Sequence, residues 1–245
     1  MRYLRRSRIY LQKIFPTFFL RAIVFVYYSI AAYKKSFSAK GEDTIVNLYF
    51  EEAGIKQGTY LDLGCFHPVS GSNTHLLHKA GWSGYGVDID QFKLNAMKIF
   101  RGKSITTYLG AISPGGEDGQ VVPVYRFDTP WSDIDTLDEK SALVTSKKFN
   151  IAFEQSEVPL LNINHLFSNL PHINFLDIDI EGLDVSVLLA LDMERFKPEV
   201  IVFEDIFNWG GSEEVQQKLQ NYGYQRIFVS GGSIGYAIPL QSSFL

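Results

Sequence analysis

The chain has 245 residues and a hydrophobic fraction of 46%, enough for one globular domain with an extension. Its single cysteine, Cys65, excludes an internal disulfide and argues against a cysteine-based zinc site. The net charge is −4, but residues 1–40 contain nine Lys and Arg residues and no acid, which leaves −13 on residues 41–245. So acidic a domain repels a phosphate backbone, which argues against nucleic acid as a partner.

Residues 1–40 are predicted to form a basic, apolar extension. Residues 14–33 are apolar and aromatic but are interrupted by Pro16 and Arg21, and the unbroken part, 22–33, is shorter than the ~20 residues of a membrane-spanning helix. Basic flanks and aromatic residues favour a helix lying in a membrane interface, and a helix packed on the main domain is the alternative. The first interpretation predicts a cytoplasmic protein whose residues 1–35 contact the inner face of a membrane. Sedimentation with membranes of a chain lacking these residues tests it.

Strand and helix patterns alternate after residue 40, which predicts a parallel sheet covered on both faces. Strands are predicted at 59–63, 84–88, 104–109, 173–180 and 199–203, and helices at 73–80, 91–100, 183–191 and 212–222. Residues 224–230 and 233–239 predict an antiparallel hairpin around Gly231 and Gly232. Residues 113–157 are less regular and are predicted to be an insertion or lid. We therefore expect an α/β, Rossmann-like, doubly wound sheet, mostly parallel with an antiparallel C-terminal strand pair, within residues 41–245.

Acidic residues follow three of the predicted strands, at Asp62-Leu63-Gly64, at Asp88 and at residues 177–182. Ligands of such sheets bind beyond the carboxyl ends of the strands. A glycine there allows close backbone approach, and Asp88 is placed to accept hydrogen bonds from a ribose diol. An ordinary helix cap is the alternative role for Asp88. The glycines of a dinucleotide fingerprint do not follow Gly64, which argues against NAD or FAD.

Four segments carry a family resemblance when taken in order: SFSAKGEDTIVNLYF at 36–50, GTYLDLGCFHPVSGSNTHLLHKAGWSGYGVDID at 58–90, LGAIS at 109–113 and FLDIDIEGLDVSVL at 175–188. Together they resemble the FkbM family of S-adenosylmethionine-dependent methyltransferases over most of residues 36–205. The resemblance implies the class I methyltransferase fold and S-adenosyl-L-methionine as cofactor. Two departures are Cys65, where alanine is usual, and Asp90, where a subgroup has asparagine or another small polar residue.

The same resemblance implies residue roles. Asp62 and Gly64 are expected to line the methionine part of the cofactor, and Asp88 to hold its ribose hydroxyls. Ala111 and Ile112 are expected near the adenine. The two acids of the fourth segment, Asp179 and Glu181, are expected to face the reacting centre.

The family also implies O-methylation, with a hydroxyl of a sugar, glycan or small metabolite as acceptor. A hydroxyl acceptor needs a base, for which Glu181 or Asp179 is favoured over His67, and the alternative is that both carboxylates only orient the cofactor or cap a helix. His67 is expected to hold its own loop. No metal site is predicted, because the acids at 133, 135 and 138 lie in a polar loop. Two rival functions are a catalytically inactive scaffold of the same fold and a nicotinamide-dependent oxidoreductase.

Overall fold

The computed structural model describes residues 36–128, 131–180, 182–205 and 212–240. The predicted extension at 1–35 and the candidate base Glu181 lie outside these ranges. Within the described ranges, no helix is both long and apolar enough to cross a membrane.

The helices and strands follow the predicted alternation. The helices are α1 (Glu42–Glu52), α2 (His75–Lys79), α3 (Gln91–Arg101), α4 (Glu139–Phe149), α5 (Ile163–Ser168), α6 (Asp184–Ala190) and α7 (Ser212–Asn221). The strands are β1 (Thr59–Leu63), β2 (Ser83–Asp88), β3 (Ile105–Leu109), β4 (Ala111–Ser113), β5 (Val121–Phe127), β6 (Phe153–Asn162), β7 (Phe175–Ile178), β8 (Val200–Glu204), β9 (Gln225–Ser230) and β10 (Ser233–Ala237).

The main sheet has seven strands in the order β3-β2-β1-β7-β8-β10-β9. Neighbouring strands from β3 to β8 are parallel, whereas β10 runs antiparallel to both β8 and β9. The strand order reverses direction at β1, which places a ligand-binding crevice at the carboxyl ends of β1, β2 and β7. This is the class I methyltransferase fold, so the predicted fold class is confirmed.

Burial on both faces explains why the central strands are apolar nearly throughout. In β1, Leu61 and Leu63 pack into one core cluster while Tyr60 packs into the cluster on the other face. In β7, Leu176 joins the first cluster and Phe175 the second. A parallel strand covered by helices on both sides has no solvent face, so the short apolar runs of the sequence fold as its central strands.

Residues 113–157 are more regular than the sequence predicted. Strands β4, β6 and β5 form a second sheet in that order, and α4 lies between β5 and β6. The prolines at 123 and 159 obscured the strand pattern, yet both are compatible with it. Pro123 lies on the edge strand β5, and Pro159 precedes the part of β6 that pairs with β4. The predicted insertion is thus a folded unit. The part that comprises β5, α4 and β6 is called the insert below.

Two predicted boundaries near the crevice were too wide. The strand predicted at 173–180 spans only Phe175–Ile178, and the helix predicted to begin at residue 73 begins at His75. The N-cap residue of this helix is Thr74, and the Nδ2 of the preceding Asn73 donates to Asp177 Oδ1 at 3.0 Å. This hydrogen bond joins the segment before α2 to β7, between residues that are 104 positions apart in the sequence.

Candidate functional site

The carboxyl ends of β1, β2 and β7 converge on Gly64. Its N–H donates to the Val87 carbonyl at 2.8 Å, and the N–H of Asp179 donates to the Leu63 carbonyl at 2.9 Å. The φ of Gly64 is +84°, and a Cβ built on it would lie 1.8 Å from the carbonyl oxygen of Asp179. The close approach predicted at Gly64 therefore occurs with the backbone that follows β7, as well as with any ligand. Only glycine fits where the three strands meet.

The carboxylate of Asp62 is buried beside an internal cation. Thr74 Oγ1 donates to Asp62 Oδ2 at 2.5 Å, and Arg101 Nη1 lies 3.9 Å from the same oxygen. Burial raises the pKa of Asp62, while the Arg101 charge and the Thr74 hydrogen bond oppose this rise. Arg101 is 3% exposed and also donates to Ser72 Oγ and to the carbonyl of Pro68. It therefore holds the loop after β1 against the strand.

A second buried carboxyl, Asp177, lies directly beside Asp62 in the sheet register. Burial and then the neighbouring Asp62 carboxylate raise the pKa of Asp177 well above its ordinary value. Asp62 has the cation of Arg101 as a partner whereas Asp177 accepts from the neutral Asn73 amide, so the pKa of Asp177 is raised further than that of Asp62.

Asp88 ends β2 and is 5% exposed. Its Oδ1 accepts the Asp90 N–H at 2.7 Å and faces Lys93 Nζ at 3.8 Å. Its Oδ2 accepts no hydrogen bond from the described residues. The helix-cap alternative does not apply, because Asp90 is the N-cap of α3 and accepts the Phe92 N–H at 2.8 Å. Asp88 therefore keeps an acceptor oxygen for a ligand.

Asp179 follows β7 and is the most accessible of these acids. Desolvation by the surrounding protein and then the nearby Asp184 carboxylate raise the pKa of Asp179 to about 7, and a hydrogen bond between Asp179 and the Glu204 side chain opposes this rise. Asp179 can accept and release a proton near neutral pH.

Sequence reasoning missed Asp184, the first residue of α6. Its carboxylate accepts the N–H groups of Ile180 at 3.4 Å and Gly182 at 3.2 Å, so it closes the turn between β7 and α6. Burial raises the pKa of Asp184 to about 6. Arg101 was missed as well, since a cation in the last turn of a helix resembles an exposed, dipole-complementing charge.

His67 has the loop-holding geometry that was expected of it. Its Nδ1 accepts the N–H groups of Val69 at 3.1 Å and Ser70 at 3.0 Å. In the neutral ring the proton is therefore on Nε2, and Nδ1 is committed to the backbone of its own loop. Neither nitrogen of the neutral ring is then a free acceptor for a substrate proton.

Ala111 and Ile112 lie in β4, next to the end of β3. Ala111 is 2% exposed and packs with Val124 and Val158 of the insert, whereas Ile112 is 4% exposed and packs into the main core. The N–H of Gly110, the residue before Ala111, donates to the carbonyl of Asp88 at 3.1 Å, so β4 begins beside the end of β2.

Solved structures with a similar course of the chain have low sequence identity to it. The TehB-like S-adenosylmethionine-dependent methyltransferase from Corynebacterium glutamicum is 10% identical, with a TM-score of 0.45 over 89% of this chain and 96% of that chain. The N-methyltransferase NodS from Bradyrhizobium japonicum is 11% identical, with a TM-score of 0.41 over 81% and 94%. MycE methyltransferase from the mycinamycin biosynthetic pathway is 12% identical, with a TM-score of 0.43 over 81% and 46%.

No curated protein matches the sequence. The Methyltransferase FkbM domain, in contrast, matches residues 62–226, which is more than half of the chain. The match begins at Asp62 and includes Gly64, Asp88 and Asp179, the residues that meet at the carboxyl ends of the strands. The chain belongs to the FkbM family of S-adenosylmethionine-dependent methyltransferases.

Proposed function

We propose that this methyltransferase acts on a hydroxyl group of a sugar, glycan or small metabolite. The observation that carries the proposal is Asp179, an accessible carboxyl beyond β7 whose pKa is about 7. A neutral hydroxyl is a weak nucleophile, and a base that is half ionised near neutral pH is matched to taking its proton. An amine acceptor that is already neutral has less need of such a base.

The residues at the strand ends fit the cofactor. S-adenosylmethionine supplies a methyl group on a positively charged sulfonium, and it also carries a ribose diol and a cationic ammonium group. The free Oδ2 of Asp88 is an acceptor for the diol. The Asp62 carboxyl group and the Gly64 backbone suit the methionine part, because a carboxyl group interacts favourably with a cation and glycine leaves room. Ala111 and Ile112 remain proposed neighbours of the adenine on the family resemblance alone.

Arg101, Asp184 and Asp179 have different roles in the proposed reaction. Arg101 lies 3.9 Å from Asp62 and opposes the rise that burial causes in the pKa of this carboxyl, which favours its ionised form. Asp184 fixes the turn that carries Asp179 by accepting two of its backbone N–H groups. In the proposed reaction Asp179 would accept the hydroxyl proton as the methyl group passes from the sulfonium, which leaves as a neutral thioether, to the acceptor oxygen, and it would then release the proton to solvent. Glu181, the other acid of the family motif, is the second candidate for this base.

Methyl transfer to matched acceptors tests the choice of a hydroxyl. The assay would pair each sugar with the corresponding amino sugar and trace labelled methyl from S-adenosylmethionine into the product. We expect the label in a methyl ether with both acceptors. The sugar and the amino sugar share hydroxyl groups, whereas only the amino sugar has an amine. Label confined to the amino group of the amino sugars would contradict O-methylation while leaving methyl transfer itself intact.

A further inference from the structure

One arginine of the insert donates a hydrogen bond to the loop that follows Asp88. Arg126, on β5, donates through Nη2 to the carbonyl oxygen of Ile89, the residue after Asp88. The same guanidinium donates through Nε to Ser156 Oγ at 2.7 Å, and its Nη1 lies 3.8 Å from Asp135. Two groups of the insert therefore fix the arginine in place, so little side-chain freedom is lost when it holds Ile89.

Apolar packing strengthens the same contact. Trp131 of the insert is 1% exposed, and its ring lies 4.7 Å from that of His67, 5.2 Å from Phe92 and 6.1 Å from Phe66, measured between centroids. These rings belong to the loop after β1 and to the first turn of α3. The insert is thus anchored on both loops that border the proposed cofactor site, and a buried indole is a large contribution to such an anchor.

A buried lysine links the insert electrostatically to Asp88. Lys93 is 6% exposed, its Nζ lies 3.8 Å from Asp88 Oδ1, and it lies 5.2 Å from the centroid of the Phe66 ring. Burial disfavours its charge, but Asp88 and then Asp135 outweigh this and raise the pKa of Lys93. Lys93 therefore stays charged between the proposed ribose anchor and an acid of the insert.

We propose that the insert positions the cofactor's ribose anchor: Arg126 and Trp131 hold the loop that follows β2, and so fix the carboxylate of Asp88 in the orientation that binds the ribose. The inference rests on the proposed role of Asp88. Arg126 is a positioning residue, since its guanidinium acts through the Ile89 carbonyl. The insert then determines cofactor affinity from outside the cofactor's own contacts.

Calorimetric titration with S-adenosylhomocysteine, the demethylated cofactor, tests this in a double-mutant cycle. We expect Arg126→Met to raise Kd about tenfold and Arg126→Lys to raise it less, because lysine keeps the charge and one donor. Lys147→Met, an exposed cation of α4 in the same insert, should leave Kd unchanged. Arg126→Met should add nothing to the loss caused by Asp88→Asn, because a residue acting through Asp88 has no effect once that anchor is gone. In the cofactor-free protein, Arg126→Met should also speed hydrogen exchange at the Asp90 amide.

The outcomes distinguish failure of the positioning role of Arg126 from failure of the ribose-anchor role of Asp88. If Asp88→Asn binds like the wild type, the ribose-anchor role fails and the positioning role with it. If Asp88→Asn loses affinity while Arg126→Met, folded as judged by thermal unfolding, does not, only the positioning role fails. Additive losses would also overturn it, since Arg126 would then act on the cofactor by another route.

Discussion

Gly64→Ala is expected to destabilise the protein and to abolish cofactor binding. The added Cβ would lie 1.8 Å from the carbonyl oxygen of Asp179, and the φ of +84° is unfavourable for alanine. That oxygen belongs to the backbone that follows β7, so relief requires the end of β7 to move away from β1. The same movement displaces Asp179 from the site. Thermal unfolding and titration with S-adenosylhomocysteine measure the two losses.

Gly54→Ala is the matched control. Gly54 has a φ of +70°, but its Cβ would meet nothing within 4 Å. Gly54→Ala therefore measures only the cost of placing alanine at a positive φ, about 1 kcal/mol of stability. This corresponds to a fall of about 2–4 °C in Tm for a domain of this size. If the Tm of Gly64→Ala falls no further than that of Gly54→Ala, and the variant still binds the cofactor, the strand ends tolerate a side chain at this position.

Asp179→Asn is expected to lower kcat by about 10²–10⁴-fold with little change in cofactor affinity, which is the usual contribution of a general base. Asparagine keeps the size of the side chain but cannot accept the hydroxyl proton. The folded-state pKa of about 7 is raised, so the basic form is lost as pH falls through that value. The wild-type rate should therefore rise with pH to a plateau, with a midpoint near or below 7 because the cofactor's positive charge favours the ionised carboxyl.

Glu181→Gln separates the two candidate bases. If Asp179 is the base, the acidic limb of the pH profile persists in Glu181→Gln and disappears from the residual activity of Asp179→Asn. A limb retained in Asp179→Asn and lost in Glu181→Gln would transfer the role to Glu181. Equal, pH-independent losses in both would mean that the two acids orient the substrates and neither one takes the proton.

Much of the fold was predictable because its signals are local. The boundaries of β1 matched the prediction at both ends, since Thr59–Leu63 is an apolar run that is terminated by glycine. The alternation of strands and helices and the Gly231-Gly232 turn predicted the order of the elements and the antiparallel hairpin. The insert was not predicted as a sheet, because its strands contain prolines that are tolerated only where no ladder hydrogen bond is needed.

The site was predictable where the motif names a strand end, and not where its support comes from elsewhere in the chain. Asp62, Gly64, Asp88 and Asp179 meet at one edge because parallel strands present their carboxyl ends together. Arg101 reaches Asp62 from the far end of α3, and Arg126 reaches Ile89 from the insert. Such contacts depend on tertiary packing, for which neither spacing nor residue type gives a local signal.

The central claim is that S-adenosylmethionine binds at the strand ends with its ribose on Asp88. The most direct measurement is calorimetric titration of the wild type, Asp88→Asn and the control Asp138→Asn with S-adenosylmethionine and S-adenosylhomocysteine. Asparagine can still accept the Asp90 N–H. Asp88→Asn therefore removes only the hydrogen bonds that the ribose donates to a charged acceptor. At about 1.5–3 kcal/mol this loss should raise Kd by about 10- to 150-fold, and Asp138→Asn, at the N-cap of α4, should bind like the wild type. Failure of the folded wild type to bind either compound, or equal binding by Asp88→Asn, would contradict the account.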